Sequence, residues 1–139
     1  MISMKNVFFE TQIRVRYGET DQMGFVYYGN YALYLEQART EMLRSVGYNY
    51  KNMEAQNILL PVVNLNTRYT KAAKYDDLIS LKTIIKAKPN RKIIFETEMY
   101  NEQNELLTKS EVILVFMNKD QKIISCPEEI VTALEKYTI

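Results

Sequence analysis

Ile13, Val15 and Tyr17 fall on one side of Thr11–Tyr17, and Arg14 and Arg16 on the other. This two-residue period predicts a β-strand. Gly18–Gly29 has no period and reads as a loop. The period then changes to three and four. Tyr31, Tyr34, Leu35, Ala38, Met42 and Val46 recur at that spacing and predict a helix over Tyr31–Val46. Leu33 and Leu43 widen the stripe, so this helix should be buried over much of its surface. Asn30 suits its N-cap and Gly47 its C-terminal stop. A short second helix is expected over Tyr48–Gln56.

From Pro61 the period returns to two. Val63, Leu65, Thr67 and Tyr69 alternate with Asn64, Asn66 and Arg68. Leu78–Lys88, Lys92–Tyr100 and Leu106–Met117 are three further extended segments. Pro89-Asn90, Asn101–Glu105 and Asn118–Lys122 read as turns between and after them. Glu128–Tyr137, after Pro127, reads as a terminal amphipathic helix. A strand, a long helix and then a run of strands with short connections imply an α+β fold with an antiparallel sheet, as a single domain over residues 1–139. Such a sheet leaves edge strands to be paired, and a symmetric homodimer, or a dimer of dimers making a homotetramer, would pair them.

Composition narrows the chemistry. The chain has 139 residues, no histidine, one cysteine and a net charge of +1. Without histidine there is no Ser-His-Asp or Cys-His machinery and no imidazole metal ligand. A hydrolytic centre here would use a carboxylate. The near-zero charge gives no basic field for nucleic acid. Cys126 has no partner for an internal disulfide, which suits a reducing compartment. Met1–Lys5 has no apolar run behind it, and nothing approaches the ~18 apolar residues of a membrane span. A cytoplasmic protein is expected. Two carboxylates, Glu19 and Asp21, stand just before the long helix.

The segment Arg16-Tyr-Gly-Glu-Thr-Asp-Gln-Met-Gly-Phe-Val-Tyr-Tyr-Gly-Asn-Tyr31, with Glu36-Gln-Ala-Arg39 behind it, resembles the hotdog-fold acyl-CoA thioesterases. The branch it is most similar to is the 4-hydroxybenzoyl-CoA thioesterase type, which includes the YbgC-like proteins. The resemblance runs along nearly the whole chain. Arg68–Leu78 is similar to that family's pattern of an aromatic strand, a turn and an acidic residue, with Ala72 where the pattern usually has proline. The resemblance implies an antiparallel sheet wrapped around one long helix, and hydrolysis of an acyl-CoA thioester to free acid and CoA. It places the catalytic carboxylate at Asp21 and gives the thioester carbonyl the backbone N–H of Tyr28. Many YbgC-like proteins carry histidine at that position, whereas the 4-hydroxybenzoyl branch carries tyrosine. No metal or cofactor is implied. Hotdog dehydratases use histidine, which this chain lacks.

The residues themselves support this assignment. A helix start presents unpaired N–H groups and partial positive charge to a developing oxyanion. One such donor is worth roughly 3 kcal/mol of barrier. Asp21 would either attack the carbonyl or deprotonate a water. The plainer reading of Asp21 is a turn cap. Glu19 reads as a structural neighbour, and Glu36 with Arg39 as a helix ion pair. Glu36 and Glu41 are the second choice for a catalytic carboxylate. Gly24 and Gly29 suit backbone geometry, with Gly29 also admitting substrate closely. Tyr28 and Tyr31 could line an acyl pocket. Arg68, Lys71 and Lys74, and then Lys88, Arg91 and Lys92, are candidates for the phosphates of CoA, against solubility as the plainer role. The competing function is a non-catalytic module binding acyl-CoA or acyl carrier protein, in a lipid or envelope assembly.

Overall fold

The computed structural model describes residues 7–137, so the reading of Met1–Lys5 lies outside it. Among the described residues, strands β1 (Val7–Arg14), β2 (Val62–Tyr69), β3 (Leu78–Ile85), β4 (Lys92–Tyr100) and β5 (Leu106–Val115) form one antiparallel sheet ordered β1-β3-β4-β5-β2. Helix α1 (Asn30–Ser45) lies on one face in contact with β1 and β3. The α+β architecture is the one the element order predicts.

Strand period decides the core. Ile79, Leu81 and Ile85 of β3, with Ile93, Phe95 and Met99 of β4, are buried beneath Tyr31, Tyr34, Leu35, Ala38 and Met42 of α1. Two pairs of hydroxyls in this layer meet across strands, while the buried Thr108 hydroxyl has no partner among the described residues. Thr83 and Thr97 meet at 3.0 Å, and Ser110 donates to Thr67 at 3.0 Å. A buried polar atom is costly unless paired, so this cross-strand matching holds the register. The short helix α2 (Tyr50–Ala55) begins with Asn49 accepting the Asn52 N–H at 2.8 Å. Helix α3 (Glu128–Leu134) buries Ile130, Val131 and Leu134. Just before it, burial pushes the Cys126 thiol up to about 12, leaving it protonated and unreactive near neutral pH. Among the described residues no helix is long and apolar enough to cross a membrane.

Several boundaries differ from expectation. The first strand spans Val7–Arg14, because Val7 to Phe9 is a continuous apolar run that hides its alternation. It stops before Tyr17 because the Glu19 carboxylate takes the Arg16 N–H and folds Tyr17–Glu19 into a 3-10 turn. Tyr17 is therefore 79% exposed instead of sharing the face of Ile13. Helix α1 starts one residue early, with Gly29 as N-cap, because the Asn30 side chain donates to the Glu19 carbonyl instead of capping. Gly47 ends it at φ +94°. Leu43 is buried but Leu33 is 58% exposed. Arg39 is buried without an ion pair among the described residues, and the helix pair is Glu41–Arg44 at 3.4 Å.

Candidate active site

The loop from Arg16 to Gly29 is organised by two carboxylates with different duties. Glu19 is held on all sides. Its carboxylate accepts the Arg16 N–H at 2.8 Å, the Arg16 guanidinium at 3.1 and 3.3 Å, and the Tyr34 hydroxyl at 2.8 Å. Its side chain is only 15% exposed. Burial pushes the Glu19 carboxyl up, but the Arg16 N–H, the Tyr34 hydroxyl and the Arg16 guanidinium outweigh it and hold the group below its ordinary value. Burial and the Glu19 charge push Tyr34 far up, so it remains a donor.

The lowered carboxyl has a consequence for acid stability. A group with a depressed folded value stabilises fully above its unfolded value, here 4.5, and loses that contribution as pH falls through the folded value. Glu19→Gln should therefore lower stability at pH 7 and flatten the further loss below pH 4.5. Urea melts of both chains across that range measure it. Equal acid limbs would show that Glu19 is not the titrating group.

Asp21 closes the next turn. Its N–H donates to the Phe25 carbonyl at 2.7 Å, and its carbonyl accepts the Gly24 N–H at 3.0 Å. Its Oδ1 accepts the N–H groups of Met23 at 2.9 Å and Phe25 at 3.2 Å. Gly24 makes the bend possible at φ +80°, where a side chain would be strained. The turn-cap reading is thus met by Oδ1 alone. Oδ2 has no hydrogen bond to a described residue. Gly29 has an ordinary φ of −65°, and a Cβ there would come within 3.1 Å of the Tyr27 ring. Its smallness is used for close packing.

The loop is stitched to the turn after β2. Val26 N–H donates to the Ala73 carbonyl at 2.8 Å, and the Tyr31 hydroxyl accepts the Ala73 N–H at 3.1 Å. This encloses a cleft of about 340 Å3 lined by Asp21, Met23, Phe25, Tyr28, Tyr31, Tyr69, Lys71 and Ala72. Tyr31 and Tyr69 meet edge to face at 5.3 Å. Burial raises the Tyr31 phenol, so it stays neutral. Tyr28, which lines the cleft, and Gly29 after it precede the first turn of α1, and their N–H groups have no acceptor among the described residues. A second cleft of about 470 Å3 borders Asp21 on another side, between Tyr17, Gln22 and Tyr75.

Not every candidate is gathered here. Asp21, Tyr28, Tyr31 and Lys71 share the first cleft, and Gly24 borders the second. Lys71 is ion-paired with Glu105. Lys74 is in the turn whose backbone bridges Phe25, and lines neither cleft. Arg68 lines a groove with Asn66, Glu96 and Lys109, on the sheet face opposite to that of its neighbour Tyr69. Arg91 and Lys92 stand at the start of β4, about 30 Å from its Tyr100 end. Glu36 and Glu41 line neither cleft. The contributions of Tyr69, Phe25 and Met23 were not legible beforehand, since each looks like an ordinary core or loop residue.

The thioesterase-like superfamily model matches residues 15–134. The chain is 31% identical over 112 residues to the acyl-CoA thioester hydrolase YbgC of Escherichia coli, covering 81% of this chain and 84% of that protein. It is 31% identical over 127 residues to the acyl-CoA thioesterase YbgC of Haemophilus influenzae, covering 90% and 93%. Among solved structures, a DHNA-CoA thioesterase from Staphylococcus aureus superposes with a TM-score of 0.80 at 35% identity, over 85% of this chain and 80% of that one. The antiparallel sheet, the helix across its face and these matches over most of the chain agree, and the protein belongs to the thioesterase-like superfamily of hotdog folds.

Proposed function

We propose that this chain hydrolyses acyl-CoA thioesters, with Asp21 acting on the carbonyl carbon and the Tyr28 N–H stabilising its oxygen. The observation that carries this reading is a cleft lined both by Asp21, whose Oδ2 is unpaired among the described residues, and by Tyr28, whose N–H is likewise unpaired before α1. In one route Oδ2 attacks the carbonyl, the C–S bond breaks, CoA leaves as a thiolate, and water then cleaves the mixed anhydride to acid and aspartate. In the other, Asp21 takes a proton from the water that attacks. The developing negative oxygen is stabilised equally in both by the helix-start donors. Single turnover in 18O-water tests the first route, since water attacking the aspartyl carbonyl of the anhydride labels Asp21, and that label then appears in acid formed during a later turnover in ordinary water, whereas the second route never labels Asp21. The primary test is a panel of aliphatic and aromatic acyl-CoAs with a thiol reagent. Binding without turnover across the panel would leave only a non-catalytic binding module.

The same reading includes a cytoplasmic homodimer formed along β2. This edge strand carries Val62 at 46%, Leu65 at 45% and Tyr69 at 52% exposure on the face that elsewhere is core, with Val63 at 58% in the bulge beside them. An antiparallel β2–β2 pairing would cover them and bound the cleft at Tyr69. It would also set the Val62 end of the second copy beside Tyr69 of the first. Arg91 and Lys92 belong to that end, because Val115 N–H bonds the Pro61 carbonyl and Phe116 N–H bonds the Arg91 carbonyl. They would then stand about three strand spacings, ~14 Å, from Tyr69. That places them within reach of the CoA phosphates. Replacing both with Gln should raise KM for acyl-CoA about fivefold and leave kcat and the KM of a short acyl-pantetheine thioester unchanged. Added salt should mimic this. An equal effect on both substrates would make these charges a solvated face.

A further inference from the structure

We infer that Glu19 is a positioning residue that sets the direction of the Tyr28 N–H relative to Asp21, an inference that rests on the thioesterase reading above. The Glu19 carbonyl accepts the Tyr27 N–H at 2.9 Å and the Asn30 side-chain amide at 2.8 Å. These two donors bracket Tyr28 and Gly29. The peptide with the unpaired N–H is thus suspended between two points that both hang on Glu19.

The other end of Glu19 is tied to the same helix. Tyr34 lies one turn beyond Asn30 on α1, and its hydroxyl reaches the Glu19 carboxylate at 2.8 Å. Arg16 binds that carboxylate from the side of β1. Asp21 follows Glu19 by two residues, and Thr20 between them is fixed by its hydroxyl on the Tyr17 carbonyl at 2.8 Å. Loop and helix start therefore move as one body, with the carboxylate and the oxyanion donor at a set separation. A capping turn alone would not need this arrangement. A fully solvated Glu19 would close the Arg16–Glu19 turn equally well, yet its side chain is 15% exposed and largely withdrawn from water, at a desolvation cost that its four donors offset.

Misplacing a transition-state donor by about 1 Å costs up to ~100-fold in rate, and losing one of several anchors costs less. Tyr34→Phe deletes one anchor and keeps the ring, and Glu19→Gln weakens the Arg16 contacts. Each should lower kcat about tenfold, keep KM within about twofold, and speed hydrogen exchange at the Tyr27 amide. The control is Thr97→Val, which removes a buried hydroxyl bonded to Thr83 and outside both clefts. It should lower stability with kcat unchanged. Two results would overturn the assignment: an unchanged kcat in Tyr34→Phe, or the same fall in kcat in Thr97→Val. A wild type that hydrolyses no acyl-CoA sinks the thioesterase reading with it. A slow Tyr27 exchange that Tyr34→Phe accelerates would then still report the clamp as architecture alone.

Discussion

Asp21→Asn should fold and assemble as the wild type does and lose at least a hundredfold in turnover, about 2.7 kcal/mol of barrier. The substitution is nearly isosteric. An amide oxygen in place of Oδ1 can still accept the Met23 and Phe25 N–H groups, so the turn through Gly24 persists. What disappears is the charge on the oxygen that the turn leaves unpaired. With no histidine anywhere in the chain, no imidazole can replace it as base or nucleophile. Circular dichroism and sedimentation should match the wild type, and steady-state kinetics on the best acyl-CoA should show the loss. Retention of more than about a tenth of wild-type turnover, less than ~1.4 kcal/mol, would transfer attention to Glu36 and Glu41.

Leu65→Glu combined with Val63→Glu should convert the proposed β2–β2 dimer to a 16.4 kDa monomer and abolish turnover. Both side chains are about half exposed in the single chain, so the charges cost the monomer little. Across a twofold each appears twice, and an uncompensated buried charge costs roughly 3–5 kcal/mol. The dissociation constant should rise by at least about a hundredfold. Activity should fall with assembly because Tyr69, the last residue of the same strand, forms a wall of the Asp21 cleft. Sedimentation showing an active wild-type monomer at micromolar concentration would remove the basis of this prediction.

Local physics carried a large part of the fold. A two-residue period needs only a pleated chain with one buried face, so β4 falls on Lys92–Tyr100 as read from its alternation. A three-to-four period needs only a helix with a buried stripe, so α1 differs from its reading by one residue at each end. The ends were harder because side chains from elsewhere compete for them. Asn30 looks like a helix cap to its neighbours in sequence, but the Glu19 carbonyl recruits its amide. Tyr17 keeps the strand period, but the Arg16–Glu19 contact turns the chain before it.

The site divides in the same way. The sequence by itself determined that no imidazole is present, which points a hydrolytic centre toward a carboxylate, and that Asp21 sits in a glycine-flanked turn before a helix start. Those are statements about composition and about neighbours along the chain. Only the tertiary structure decided which oxygen of Asp21 is spent on the turn and which is left. It alone placed Tyr34 on Glu19 fifteen residues away, brought Tyr69 beside Tyr31, and put Arg68 on the far face of the sheet. Contacts of that kind depend on where strands of distant sequence pair. That pairing is set by burial summed over the whole sheet, which no local window of residues contains.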